Sequence, residues 1–127
     1  MSEARSKWFP KLLSERYNNL VALDEARYLL ANMTKDNSGI EAEREFVRKK
    51  IEDLENDLHR SEKESAAIID TISNNHAAWT AARLHFLHGY IWDAAGAKIG
   101  LSAEAVRARV IRAFEKASKD DPYDGKA

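Results

Sequence analysis

The sequence predicts an all-α protein, with an N-terminal long helical hairpin or coiled coil followed by a C-terminal three-helix helix-turn-helix domain. Three observations predict it. Glycine and proline are scarce, at five and two among 127 residues, while Ala, Leu, Glu, Lys and Arg are abundant. Apolar residues recur at helical spacing in every long segment. The stretch AKIGLSAEAVRARVIRAF near the C-terminus reads as two helices broken by Ile-Gly-Leu-Ser.

The first segment, residues 7–33, carries Leu13, Tyr17, Leu20, Leu23, Leu30 and Met33 on one helical face. Pro10 suits its first turn, where a missing amide hydrogen costs little. Residues 34–39 read Thr-Lys-Asp-Asn-Ser-Gly and break the helix. Ser38 and Glu41 then form a capping-box pattern that starts a second helix. It runs without a breaker to about residue 72. Its stripe of Val47, Ile51, Leu54, Leu58, Ser61, Ser65, Ile68 and Ile72 is a heptad seam with two small polar gaps. An exposed stripe on so long a helix needs a cover. The first helix can fold back on it, and the uncovered part would pair with a second copy, making residues 1–72 a dimerisation region. The alternative is that one chain covers the whole stripe.

Residues 73–119 resolve into three helices. Ser73 or Asn74 is placed to cap the first, which carries Ala78, Trp79, Ala82, Leu84, Phe86 and Leu87 and ends at His88-Gly89. The second runs from about Ile91 to Ile99, and Gly100 stops it by taking the left-handed conformation. Gly96 inside it is expected to cost about 1 kcal/mol relative to Ala. Leu101 points into the core, and Ala95 marks the crossing with the third helix. Ser102 caps that helix, whose inward face is Val106, Val110 and Phe114. Residues 120–127 read as an acidic disordered tail.

Charge is unevenly spread. The chain carries a net −1, but residues 1–72 hold 12 basic and 15 acidic side chains, whereas residues 73–119 hold 7 and 3. A basic segment beside an acidic remainder points to an anionic partner, or to an ordinary solvated face. In a helix-turn-helix the start of the second helix enters the major groove. There Ser102, Ala103, Glu104, Arg107, Ala108 and Ile111 would face the bases. Arg107 can grip a guanine and Glu104 can accept from a cytosine amino group. Arg109, Arg112, Lys98 and Lys116 would meet phosphates, which position a protein without reading sequence.

The run LHFLHGYIWDAAGAKIGLSAEAVRARVIRAF, residues 84–114, resembles the C-terminal helix-turn-helix (region 4) of bacterial sigma factors. Leu84, His85, Phe86 and Gly89 precede a helix containing Trp92; the Ile99-Gly100-Leu101-Ser102 turn and the Val106-Arg107-x-Arg109 helix follow. Set behind a helical hairpin, this region resembles the RinA/ArpU-like family of small phage late-transcription activators. The resemblance implies a sequence-specific, phage- or prophage-encoded transcriptional regulator of double-stranded DNA, acting in the bacterial cytoplasm. Two alternatives from other classes stand beside it. One is a small-terminase-like DNA-packaging adaptor that assembles into rings; the other is a sigma-like module that docks on RNA polymerase.

Other chemistry finds little support in the residues. With no cysteine there is no disulfide or thiolate metal site, which fits a reducing compartment. No apolar run is long enough for a membrane span or a signal peptide. His76, His85 and His88 lack the partners of a metal site and read as surface histidines or phosphate neighbours. Trp79 and Trp92 read as core, with Trp92 packing on the helix before it, while Trp8 and Phe9 would staple the hairpin or meet a partner. No phosphate loop or catalytic set is found, so neither an enzyme nor a cofactor is expected.

Overall fold

The computed structural model describes residues 9–33 and 41–120, with side chains to residue 118. Every regular element in it is helical: α1 (Lys11–Met33), α2 (Glu41–Asp70), α3 (His76–Ala82) continued by a π-helical turn (Arg83–Leu87), α4 (Trp92–Ile99) and α5 (Ala103–Asp120). The all-α class expected from the sequence is what the chain adopts. Trp8, the turn and cap at residues 34–39 and the tail beyond Asp120 lie outside the described residues.

α1 packs along α2. Leu23 of α1 is buried with Leu54 and Leu58 of α2, and Leu20, Ala22 and Ile51 close around them. Arg27 pairs with Glu55 at 2.7 Å, and Arg44 reaches back to the Met33 carbonyl at 3.3 Å. Later residues of α1 therefore meet earlier residues of α2, so the two run in opposite directions. Val47, Leu54 and Leu58 of the heptad stripe are covered within one chain.

One of the polar gaps in that stripe has a clear purpose. Arg16 sits on the inner face of α1 and is only 7% exposed. Its Nη1 donates to the Leu58 carbonyl at 2.7 Å and to the Ser61 hydroxyl at 2.8 Å. Its Nε donates to the Phe86 carbonyl at 2.9 Å. Ser61 is thus an acceptor for a buried cation, and a larger apolar residue there would displace it. Burial lowers the Arg16 pKa from its ordinary value, while the charge of Glu62 opposes the shift. Ser65 is fully buried, and its hydroxyl has no partner among the described residues; nothing in the structure explains the second gap.

α2 ends at Asp70, earlier than the periodicity implies, and Ile72 is buried in the turn that follows. Asn75, rather than Ser73 or Asn74, caps α3: its Oδ1 accepts from the Ala78 amide at 3.2 Å. Three successive small polar residues offer equivalent caps locally, and the turn after α2 selects the last of them. The main core then joins Leu13, Ile69 and Ile72 to Ala78, Ala81, Ala82 and Phe86 and to Val106, Val110 and Phe114. Residues from both sides of position 72 share it.

Arg16→Ala is expected to destabilise the protein by about 3 kcal/mol, because two buried carbonyls lose a charged donor at once. Arg16→Lys, with one point donor, should fall between the two. Urea unfolding of the three proteins measures this, and an Arg16→Ala loss within about 0.5 kcal/mol of zero would remove Arg16 from its central place.

Candidate nucleic-acid interface

The turn between α4 and α5 is set by local chemistry. Gly100 has φ 77° and ψ 28°, in the left-handed region where a side chain is penalised. Its amide donates to the Ala97 carbonyl at 3.4 Å, and the Leu101 amide donates to the Gly96 carbonyl at 2.9 Å. That pair of bonds is the Schellman ending of a helix. Two residues later, the Ser102 hydroxyl accepts from the Ala105 amide at 3.1 Å, and the Ser102 carbonyl accepts from Val106 at 2.9 Å. Leu101 is half-buried against the core between these two caps.

Gly96 is a requirement of this turn. A Cβ built there would overlap the Leu101 carbonyl oxygen and stand 3.2 Å from the Ser102 carbonyl oxygen. The expected propensity cost is therefore offset by an approach of backbone to helix that only glycine permits. Ala95 beside it is fully buried.

α5 buries Val106, Val110 and Phe114 and leaves Glu104, Arg107, Arg109, Arg112 and Lys116 exposed. At about 100° per residue, Arg107 shares a flank with Glu104, Ala108 and Ile111, while Arg109, Arg112 and Lys116 lie on the other. The first flank carries a shallow, open depression. Ala103, Ala108 and Ile111, with Trp92 from the start of α4, line a groove of about 330 Å³ that Glu104 and Arg107 border. Ser102 and Lys98 are exposed, on the turn and on the last turn of α4, and neither lines it. So the structure brings Ala103, Glu104, Arg107, Ala108 and Ile111 together, and sets Arg109, Arg112 and Lys116 apart from them.

The cations of α5 differ from most of those on α1 and α2. Among the described residues every ion pair lies on α1 and α2: Lys11–Glu15, Arg27–Glu55, Arg44–Glu41, Arg48–Glu45, Lys49–Asp53 and Arg60–Asp57. None involves Arg107, Arg109, Arg112, Lys98 or Lys116.

The floor beneath Trp92 is not visible in the sequence. His85 is 5% exposed, not a surface histidine. Its ring lies between Tyr17, at 3.9 Å, and Trp92, at 3.7 Å, nearly parallel to both. Its Nδ1 donates to the Tyr90 carbonyl at 2.6 Å, which fixes the proton on that nitrogen of the neutral ring. Phe9 packs on both Phe86 and Trp92, so it ties the start of the chain's first helix to the π turn and α4 rather than stapling the hairpin. Trp79 is half-buried, its Nε1 donating to Asp70 at 2.9 Å and its ring under Arg83. Among the described residues no group of His, Asp or Glu is arranged to hold a metal ion, and no helix is long and apolar enough to cross a membrane. No family model, curated protein or solved structure matches the chain.

Two predictions follow from this geometry. Gly96→Ala should destabilise the protein by more than about 1 kcal/mol, although Ala is the better helix former; a rise in thermal midpoint would contradict the close approach. Burial holds the His85 pKa down at about 4, against the opposing pull of the Tyr90 carbonyl. The unfolded chain titrates near 6.5, so it binds more protons than the folded one between those values. The stability His85 contributes is whole above pH 6.5 and is lost as pH falls toward 4. His85→Phe keeps a ring in the stack and removes the titration. Its deficit in urea midpoint relative to the parent should shrink from pH 7 to pH 5, and an equal deficit at both would overturn the assignment.

Proposed function

We propose that the chain is a sequence-specific DNA-binding regulator of transcription, of the phage or prophage kind its sequence resembles, which lays α5 in the major groove. The observation that carries the reading is the set of exposed cations on α5 that form no ion pair among the described residues, on a protein where six cations of α1 and α2 are paired. A helix with one buried face and cations on both flanks matches a groove bordered by two phosphate strands. The turn through Gly100 and the Ser102 cap supports the helix-turn-helix layout, in which α3 with its π turn, α4 and α5 form the DNA-binding part. In this reading Arg107 and Glu104 touch base edges, and Arg109, Arg112, Lys98 and Lys116 hold phosphates.

A homodimer belongs to the same proposal on changed grounds. Since α1 covers Leu54 and Leu58 and Val47 is buried within one chain, the heptad stripe no longer calls for a second copy. Tyr28, Leu29 and Phe46, at 72%, 50% and 70% exposure, are what a second copy would bury. One observation favours a second function: the groove beside Arg107 is mostly apolar, as a docking site on RNA polymerase would be.

Binding to random duplex DNA and to DNA upstream of the chain's own gene, at several salt concentrations, tests the proposal. Four phosphate-binding cations predict a slope of log K against log salt of about −4. Arg109→Ala or Arg112→Ala should weaken binding to every sequence and reduce the slope by about 1, whereas Arg107→Ala should cost about 1–3 kcal/mol on the preferred site alone. Absence of binding to either DNA at low salt would refute the DNA reading and leave the polymerase as the partner to test.

A further inference from the structure

We infer that the groove beside Arg107 takes the C5-methyl groups of thymines, so that the preferred site carries thymine next to the guanine read by Arg107. The inference rests on the DNA reading above and names what that surface recognises.

The argument starts from what a major groove can offer an apolar surface. Base edges there present hydrogen-bond donors and acceptors, with one apolar group, the methyl of thymine. Ala103, Ala108, Ile111 and Trp92 present almost no polar atoms to the groove they line. Laid against guanine or cytosine edges, these side chains would strip water from polar atoms and return no hydrogen bond, which is unfavourable. Laid against methyl groups, both surfaces leave water together. The two alanines keep the surface hollow, so a methyl fits into it where a longer side chain would hold the helix away. From Ala103 to Ile111 the groove runs about 12 Å along the helix, or three to four base-pair steps. Arg107 and Glu104 border it, so the methyls it takes lie within a step or two of the guanine and cytosine those side chains can read. The charge around the groove is what selects nucleic acid as the occupant. Arg107 borders it, Arg109, Arg112 and Lys116 flank it across the helix, and none has an acidic partner among the described residues.

Preferred sites are first selected by the full-length protein from a random duplex pool. Each thymine of the selected site is then replaced by deoxyuridine, which removes the methyl and keeps every hydrogen-bonding atom. Replacement beside the guanine protected by Arg107 should weaken binding about fourfold, the worth of one buried methyl, and replacement outside it should change nothing. Ala108→Asn, at a position that points away from the core, should abolish the thymine preference of the selected pool and the deoxyuridine effect. A selected site that binds equally well with deoxyuridine throughout, or that holds no thymine near that guanine, overturns the inference and leaves the DNA reading standing. A pool that yields no preferred site overturns both.

Discussion

A buried guanidinium governs the arrangement of this protein. Arg16 can leave water only if its donors find acceptors, since an uncompensated buried charge costs several kcal/mol out of a total stability of about 5–15. α2 supplies two acceptors, one of them a carbonyl already within a helix and the other the hydroxyl of Ser61. The third, the Phe86 carbonyl, comes from the π-helical turn Arg83–Leu87. A π turn shifts the bonding pattern by one residue, and such turns recur where a helix must present a group that regular winding would occupy. The same turn aims His85 inward between Tyr17 and Trp92. Trp92 begins α4, and its ring is also a wall of the groove beside α5. A chain of packed groups therefore leads from a cation in the first helix to the surface proposed to meet base edges.

What the sequence made legible is local. Gly100 and Ser102 act within a few residues of themselves, and their left-handed ending and cap stand where the residue types place them. The inward stripe Val106, Val110 and Phe114 is a property of one helix. Arg16 and His85 take their surroundings from distant parts of the chain, and Gly96 takes its own from the turn five residues on, so none of the three is legible from its own helix. Arginine is among the residues least often buried, so its place on the apolar side of α1 carried no weight without Ser61 in view. A signal did exist: a cation in register with apolar neighbours on one helix, and small hydroxyls interrupting the stripe on another, are complementary defects. His85 had a fainter one in its aromatic company. Gly96 read as a local weakness because the Leu101 carbonyl that crowds it is positioned by the turn, not by α4 itself.

The charges divide along the same lines as the packing. Six cations of α1 and α2 pair with acids a turn away or on the facing helix, so their fields are largely cancelled at short range. Those of α5 form no ion pair among the described residues, although Glu104 and Glu115 lie one turn from Arg107 and Arg112, and their field extends into solvent over about a Debye length, roughly 8 Å at physiological salt. Between them lies a groove with almost no polar lining. For a protein partner, a shallow apolar strip flanked on both sides by cations that form no ion pair among the described residues would demand matched acids on either side of an apolar ridge. Duplex DNA supplies that pattern at every turn, with phosphates on two strands and methyl groups between them wherever thymine occurs.

That surface is not held by α4 and α5 alone. Leu13, Ile69 and Ile72 lie in the same core as Val106, Val110 and Phe114, and Phe9 packs on the outer side of the aromatic cluster that ends in Trp92. The boundary at residue 72, natural by composition and charge, is crossed by the packing. α3, α4 and α5 have little apolar area to bury by themselves, and here the long helices supply the missing side of their core. The N-terminal pair thus has a physical reason to exist that is independent of any second copy: it is the support on which the α4–α5 angle rests.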